Sequence, residues 1–465
     1  MRTGEGLLTR SYSSPNGAAA DTGGQGSPST SSPPRPDMRV RPLLAAALFP
    51  FVALPVAAQH HEAPPAAAPR ATLLATAAPA PTHGALSSSS CQALSAVAPA
   101  SPVVPATAGP GFASFVDPSA RITAPARVMI GCRSYVAPFA SLDGSEGPIA
   151  IGDETNVQDN VVISGRLVML GDRVIVAHGA TVVGPASLGA RGGKPAFVGF
   201  NAYIDGAVVE GDAFVGHLAR IAPGVVIRAG TKVLPGRFVR TQEEADQPSL
   251  GKVTTVSDAD RAFMAGVLHV NTSFAAGYTA MYQAAPGTVR GAGRDPGESD
   301  FNHDADLPTF AGKAEAHPEA DRLRIIGAVT LDDAFDALRA KSGRAIAIRA
   351  DEGEHFHIGA VAHLQDRVTF HALEHTDLDV GARDDLGFHV VVHGGPDDAS
   401  DAGAVTRLGD DVTVRDWAVV FRSTVGAGAT IGVRAYVDGS HLAPGTVVPD
   451  RAIMIKDRIV GYVEW

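Results

Sequence analysis

The side chains best suited to chemistry are concentrated in two stretches of the chain. One holds Arg349-x-Asp351-Glu352-Gly353, then Gln365-Asp366-x4-His371-x2-Glu374, and runs on to "VVVHGGP", which carries His393. The other, "VAHGATVVGP", carries His178. Residues of these types act as metal ligands, proton carriers and ion-pair partners. With two cysteines in the chain, neither a cysteine-rich zinc site nor a disulfide framework is available. The two stretches lie far apart in sequence, so the elements that position them decide whether they meet.

Those elements follow from a six-residue period. Aliphatic residues fall at Ile130 and Val136; at Ile151, Val157 and Ile163; and at Leu170, Val176, Val182 and Leu188. They continue at Val198, Ile204, Val209, Val215, Ile221, Ile227, Val233 and Val239. This period suits neither an α-helix nor simple strand pairing. It predicts a parallel β-helix whose triangular coil uses three hexapeptides, one per side. A second ladder runs through Leu408, Val414, Val420, Val425, Ile431 and Val437. Each ladder has one five-residue step, Ile204 to Val209 and Val420 to Val425, which pairs Val198 with Val414. Upstream, Val157-Gln158-Asp159 pairs with Leu364-Gln365-Asp366. The fold class is therefore all-β, two tandem β-helices related by internal duplication. Between them Phe263, Val267, Val270, Phe274 and Tyr278 recur at helical spacing, predicting an amphipathic helix that closes the first copy. The stretch Leu331 to Lys341 is expected to be irregular or helical.

Composition agrees with this fold. Glycine (51) and proline (33) are abundant and aromatics are only 6%, which argues against a core built on large rings. The net charge of −11, with no basic run, excludes nucleic acid and anionic membranes as partners. Residues 1–37 read as disordered. Residues 38–58, with Arg39 and Arg41 before an apolar run and Val56-Ala57-Ala58 at its end, read as a secretory signal peptide. Interrupted by Pro50 and Pro55, that run is short for a membrane span. The expected location is periplasmic or secreted, with no membrane attachment after processing. An Ala/Pro/Ser-rich linker over 59–111 leads to the first β-helix and its helix at 112–285; a linker over 286–322 leads to the second β-helix at 323–465. Cys91 and Cys132 are either paired or two free thiols.

Taken together, "IGDETNVQDNVVI", "VAHGATVVGP" and "RTQEEAD" in the first copy, with "IRADEG", "HLQDRVTFHALE" and "VVVHGGP" in the second, resemble the gamma-class carbonic anhydrases. These are trimeric enzymes with left-handed β-helices, and the likeness covers roughly residues 112–285 and 344–440. It implies a metal held by three histidines at an interface, two from one prism and one from its neighbour. The first two fall on His371 and His393 in the second copy, where the first copy has Ser164 and Val183. The third falls on His178 in the first copy; in the second, strict register gives Phe388, with His389 one place on. Three readings follow: a site shared between the copies through His371, His393 and His178; a homotypic site that His389 reaches by a local slip; or a degenerate site without metal.

The resemblance also implies roles for the neighbours. Glu374 and Glu352 match positions used for proton shuttling and substrate positioning, and Gln365 matches the amide that orients the hydroxide. Arg349 and Asp366 match an interface ion pair, with Asp351 beside Arg349. The corresponding Asp143-Gly144-Ser145-Glu146-Gly147 of the first copy lacks the Arg and the first Asp, so that copy is expected to be mostly structural. The implied cofactor is Zn2+, although an imidazole site also accepts Fe2+ or Co2+. Zinc held by three imidazoles lowers the pKa of a water to about 7, and the hydroxide attacks carbon dioxide to give bicarbonate. Self-association through β-helix faces is the expected protein contact. Two other classes compete: a noncatalytic assembly scaffold, and an acyl-CoA-dependent acyltransferase. The sequence offers no separate catalytic histidine with an acyl-donor groove for the latter.

Overall fold

The computed structural model describes residues 94–97, 101–190, 193–291, 322–352, 355–373, 376–396 and 404–465. The expected leader, most of the first linker with Cys91, residues 292–321 of the second linker, Gly353 and Glu374 lie outside them. Cys132 is buried and disulfide-bonded. Among the described residues no helix is long and apolar enough to cross a membrane.

The aliphatic ladder becomes three stacks inside each of two parallel β-helices. In the first prism, Val136, Val157, Val176, Val198, Val215 and Val233 are successive partners on one sheet. Ile163, Val182, Ile204, Ile221 and Val239 form the second stack, and Ile130, Ile151, Leu170, Leu188, Val209 and Ile227 the third. The three sheets have nine, seven and seven strands in that order, most of two or three residues. In the second prism the stacks are Ile348, Phe370, Val392, Val420, Val437 and Met454; Ile358, Val380, Leu408, Val425 and Leu442; and Leu364, Leu386, Val414, Ile431 and Val448. Each such buried aliphatic side chain stabilises the fold by roughly 1.5–3 kcal/mol. The first prism starts earlier than its hexad pattern: Ser95–Ala96 and Val103–Val104, inside the segment read as linker, pair antiparallel with its first coils. In the second, a helix at Phe335–Lys341 sits between the strands of the opening coil.

A long helix, Asp258–Ala284, follows the first prism and starts at a Ser257/Asp260 capping box. Its Phe274 and Tyr278 pack on Phe115 and Tyr135 of the first prism and near Ile326 of the second. The prisms meet along one sheet of each. Ile175, Phe197 and Phe214 of the first and Val391, Val419, Phe421 and Tyr436 of the second share one apolar cluster. At the edge of this contact, Asn160 and Asn201 occupy left-handed corners (φ 59 and 52), a conformation asparagine tolerates better than most residues. Their amides cross to the other prism. Asn160 Nδ2 donates to the Ala345 and Arg367 carbonyls at 3.1 and 3.3 Å, and Asn201 Nδ2 to the His389 and Trp417 carbonyls at 3.0 and 3.3 Å.

One carboxylate in the second prism is held against its charge. Asp384 is fully buried; Oδ1 accepts the Val412 N–H at 2.8 Å, while Oδ2 meets no partner. Burial pushes the carboxyl up to about 7, opposed by the Val412 hydrogen bond and helped by Asp410 and Asp411. The native state then keeps a proton that the unfolded chain releases near pH 4, so stability falls as the pH rises from about 4 to about 7. Asp384→Asn should remove this component. Its denaturant-derived stability should exceed wild type by on the order of 2 kcal/mol at about pH 8 and match it near pH 4; equal stabilities at the higher pH would contradict the assignment.

Candidate metal centre

Parallel pairing stacks equivalent residues of successive coils into straight rows. In the second prism Ile326, Arg349, His371, His393, Phe421 and Asp438 are consecutive partners on one sheet. Each points outward, because its neighbour in sequence belongs to the aliphatic interior. This row faces the first prism, whose His178 follows the strand Val174–Val176 at a corner. The three imidazoles are buried together, with ring centroids 4.9, 5.2 and 5.1 Å apart for His178–His371, His178–His393 and His371–His393. One nitrogen of each lies within 4.8 Å of the others.

Hydrogen bonds set which nitrogens are free. His178 Nδ1 lies 2.9 Å from Asp159 Oδ2, and the His178 backbone N–H donates to Gln158 Oε1 at 3.2 Å. His393 Nδ1 donates to the Gly394 carbonyl at 2.6 Å. His393 therefore keeps a lone pair on Nε2, and the Asp159 contact favours the same tautomer at His178. His371 Nδ1 is 3.1 Å from His393 Nε2, near the roughly 3.3 Å that two imidazole nitrogens span on a tetrahedral zinc. The Nε2 atom of His178 is buried with no hydrogen-bond partner, and His371 turns its Nε2 towards Asp351 Oδ1, at 3.4 Å, so that its Nδ1 faces His393. Burial lowers all three imidazoles, reinforced by Arg349 and His178 at His371 and by His371 and His178 at His393; at His178 the Asp159 contact opposes it in part. Neutral, close and incompletely satisfied imidazoles fit a divalent metal ion.

Around them lies a buried charge network. The Arg349 guanidinium contacts Asp159 Oδ2 of the first prism at 3.0 and 3.1 Å and Asp351 Oδ2 at 2.6 Å, and donates to Tyr135 Oη at 3.2 Å. Tyr278 of the long helix donates to Asp351. Burial would raise the Asp159 carboxyl, but Arg349 and the His178 hydrogen bond hold it below the usual range. Glu352 Oε2 is 3.7 Å from His371 Nε2.

The structure redistributes several expected residues. His389 is outside the cluster: it sits in a left-handed corner (φ 62), stacks on Trp417 at 4.1 Å and places Nδ1 3.1 Å from Asn201 Oδ1. Asp366 does not pair with Arg349. It is exposed and accepts the Arg344 N–H at 2.8 Å, because it follows a strand of a different sheet from Arg349. Gln365 is exposed beside it. Their first-copy counterparts, Gln158 and Asp159, occupy the site instead. The two pairs are equivalent in the duplication, and the first-copy pair is the one that stands beside His178 and Arg349. Tyr278 carries no signal beyond its place in the helical period, and Tyr135 none beyond its place next to Val136 of the ladder. Glu374 lies outside the described residues.

No family model matches the chain. It is similar to a carbonic anhydrase of Methanosarcina thermophila, with 32% identity over 204 residues covering 39% of this chain and 76% of that protein. It is also similar to mitochondrial gamma carbonic anhydrase 2 of Arabidopsis thaliana, with 32% identity covering 27% of this chain and 40% of that protein. The carboxysome assembly protein CcmM of a Nostoc species is 30% identical, covering 24% of this chain and 20% of that protein.

Arg349 provides a direct test of the network. Arg349→Leu leaves Asp159 and Asp351 buried without their counter-charge and should destabilise the protein by about 3–5 kcal/mol at neutral pH. The loss should shrink near pH 4, where burial, no longer opposed by Arg349, lets the Asp159 carboxyl take up a proton. Denaturation showing the same loss at both pH values would refute the ion-pair account.

Proposed function

Because this chain belongs to the gamma-class carbonic anhydrase family, we propose that it interconverts carbon dioxide and bicarbonate at a metal held between its two β-helices. The observation that carries this reading is the cluster of His178, His371 and His393, contributed by different copies and buried together. Zinc is the proposed ion, with iron or cobalt compatible with the same donors; when bound, it supplies Lewis acidity that ionises a water near pH 7. The protein does the rest. Asp159 and the Gly394 carbonyl hold His178 and His393 in the tautomers that present Nε2, a type of support worth about 10–100-fold in metal affinity. Arg349 fixes Asp159 and Asp351 together and so sets the spacing of the two prisms at the centre. Glu352 lies beside His371 and also lines an open cleft, so its carboxylate is placed to carry a proton to solvent. The segment 38–58 supports a proposal of export.

His178→Ala, His371→Ala and His393→Ala should each lose bound metal and carbon dioxide hydration, whereas His389→Ala should retain both. Asp159→Asn should weaken metal binding by about 10–100-fold. Metal analysis and stopped-flow hydration assays check these outcomes; loss of metal in His389→Ala with retention in His178→Ala would sink the shared site.

A further inference from the structure

A cleft of about 810 Å3 opens beside the metal centre, walled by both prisms and the helix Asp258–Ala284. That volume falls within the about 300–1,000 Å3 of organic-ligand pockets and is many times the roughly 30 Å3 of a water molecule. Carbon dioxide and bicarbonate do not account for it. Its wall is mainly apolar, formed by residues such as Phe214, Phe263, Leu373 and Ile455. The cations on the wall are already paired, Lys232 with Asp260 at 2.5 Å and Arg422 with Asp438 at 2.6 Å.

One polar group breaks this pattern. His217 lines the cleft and is only 6% exposed. Its Nδ1 accepts the Phe200 N–H at 3.0 Å, which places the ring proton on Nε2. That N–H has no hydrogen-bond partner among the described residues. Burial lowers the imidazole to about 3, so the neutral donor persists at physiological pH. Stacking on Phe200 at 4.3 Å and packing against Tyr436 at 5.2 Å hold the ring in place. Phe200 in turn stacks on His393 at 4.8 Å, placing the donor one ring away from the metal centre.

We infer that this cleft binds an uncharged organic carbonyl compound, an ester or amide with an apolar body, whose carbonyl oxygen accepts the His217 Nε2–H. An apolar wall rewards the body, and a donor that faces the cleft with no partner among the described residues favours a molecule that carries an acceptor. With its cations paired, and with Glu352 and Asp438 in the wall, the cleft disfavours a carboxylate. The inference concerns binding and does not depend on the reaction proposed at the metal.

Gly266 of the helix also lines the cleft, and a Cβ there would meet no atom within 4 Å, so a large side chain at this position enters open space. The test is saturation-transfer NMR of the full chain with N-phenylhexanamide, using N-hexylaniline as the matched probe without a carbonyl, in metal-free and metal-loaded protein. Wild type should bind the amide in both forms and more tightly than the amine. Gly266→Trp should abolish binding of both probes. His217→Phe should weaken the amide about tenfold and leave the amine unchanged. Absence of amide binding to wild type, or unchanged binding in Gly266→Trp, overturns the site. Equal affinity for the two probes in wild type overturns the role of His217, even if His217→Phe does not fold.

Discussion

The buried Arg349 guanidinium is the contact on which the rest of the centre depends. It comes from the second prism and lies between Asp159 of the first prism and Asp351 of its own. Taking three charges out of water costs several kcal/mol per ion, which only close geometry and additional hydrogen bonds offset. Tyr135 and Tyr278 supply those bonds from the first prism and from its helix. Three segments distant in sequence are thereby committed to one arrangement. Asp159 is in turn the partner of His178, so the same ion pair that docks the prisms also orients a candidate ligand. A second buried cross-prism pair, Arg324 with Asp117 at 3.1 Å, reinforces the contact one coil away.

The duplication divides the labour between the copies. The second prism supplies the outward row of one sheet, where Arg349, His371 and His393 stand on successive strands. The first supplies a corner and the segment before it: Gln158, Asp159 and His178. Each copy lacks the histidines that the intramolecular contact does not use. Ser164 and Val183 stand where the first prism would carry the row, and Gln365, Asp366 and Phe388 occupy the second prism's unused corner positions. Asp366 has become a surface cap on a backbone N–H, and His389 an edge packed on Trp417.

Much of the fold was legible from the hexads, because a stacked coil repeats the same inward position at a fixed spacing and tolerates little else there. The five-residue steps align the copies, and the family resemblance then places His371 and His393 in the second copy and leaves His178 or His389 as the third ligand. A choice between copies also applies to Gln158 and Asp159, but their motif survives intact in both copies, so residue identity does not distinguish the used copy from the unused one. Only the direction in which the two sheets meet does so. The early strands at residues 95–104 were hidden by an Ala/Pro/Ser-rich composition, since two-residue strands pairing antiparallel with a coil leave no period. In sequence Tyr278 is one more apolar position of an amphipathic helix, and its hydroxyl contact with Asp351 depends on a prism that begins after the linker.

The central claim is that one metal centre is assembled per chain from both copies. Calorimetric titration of the metal-free full-length protein with Zn2+ tests it most directly. The shared site predicts one high-affinity ion per 465-residue chain, with the stoichiometry unchanged when the protein concentration is lowered. Two ions per chain, or a stoichiometry below one that depends on association between chains, would contradict it.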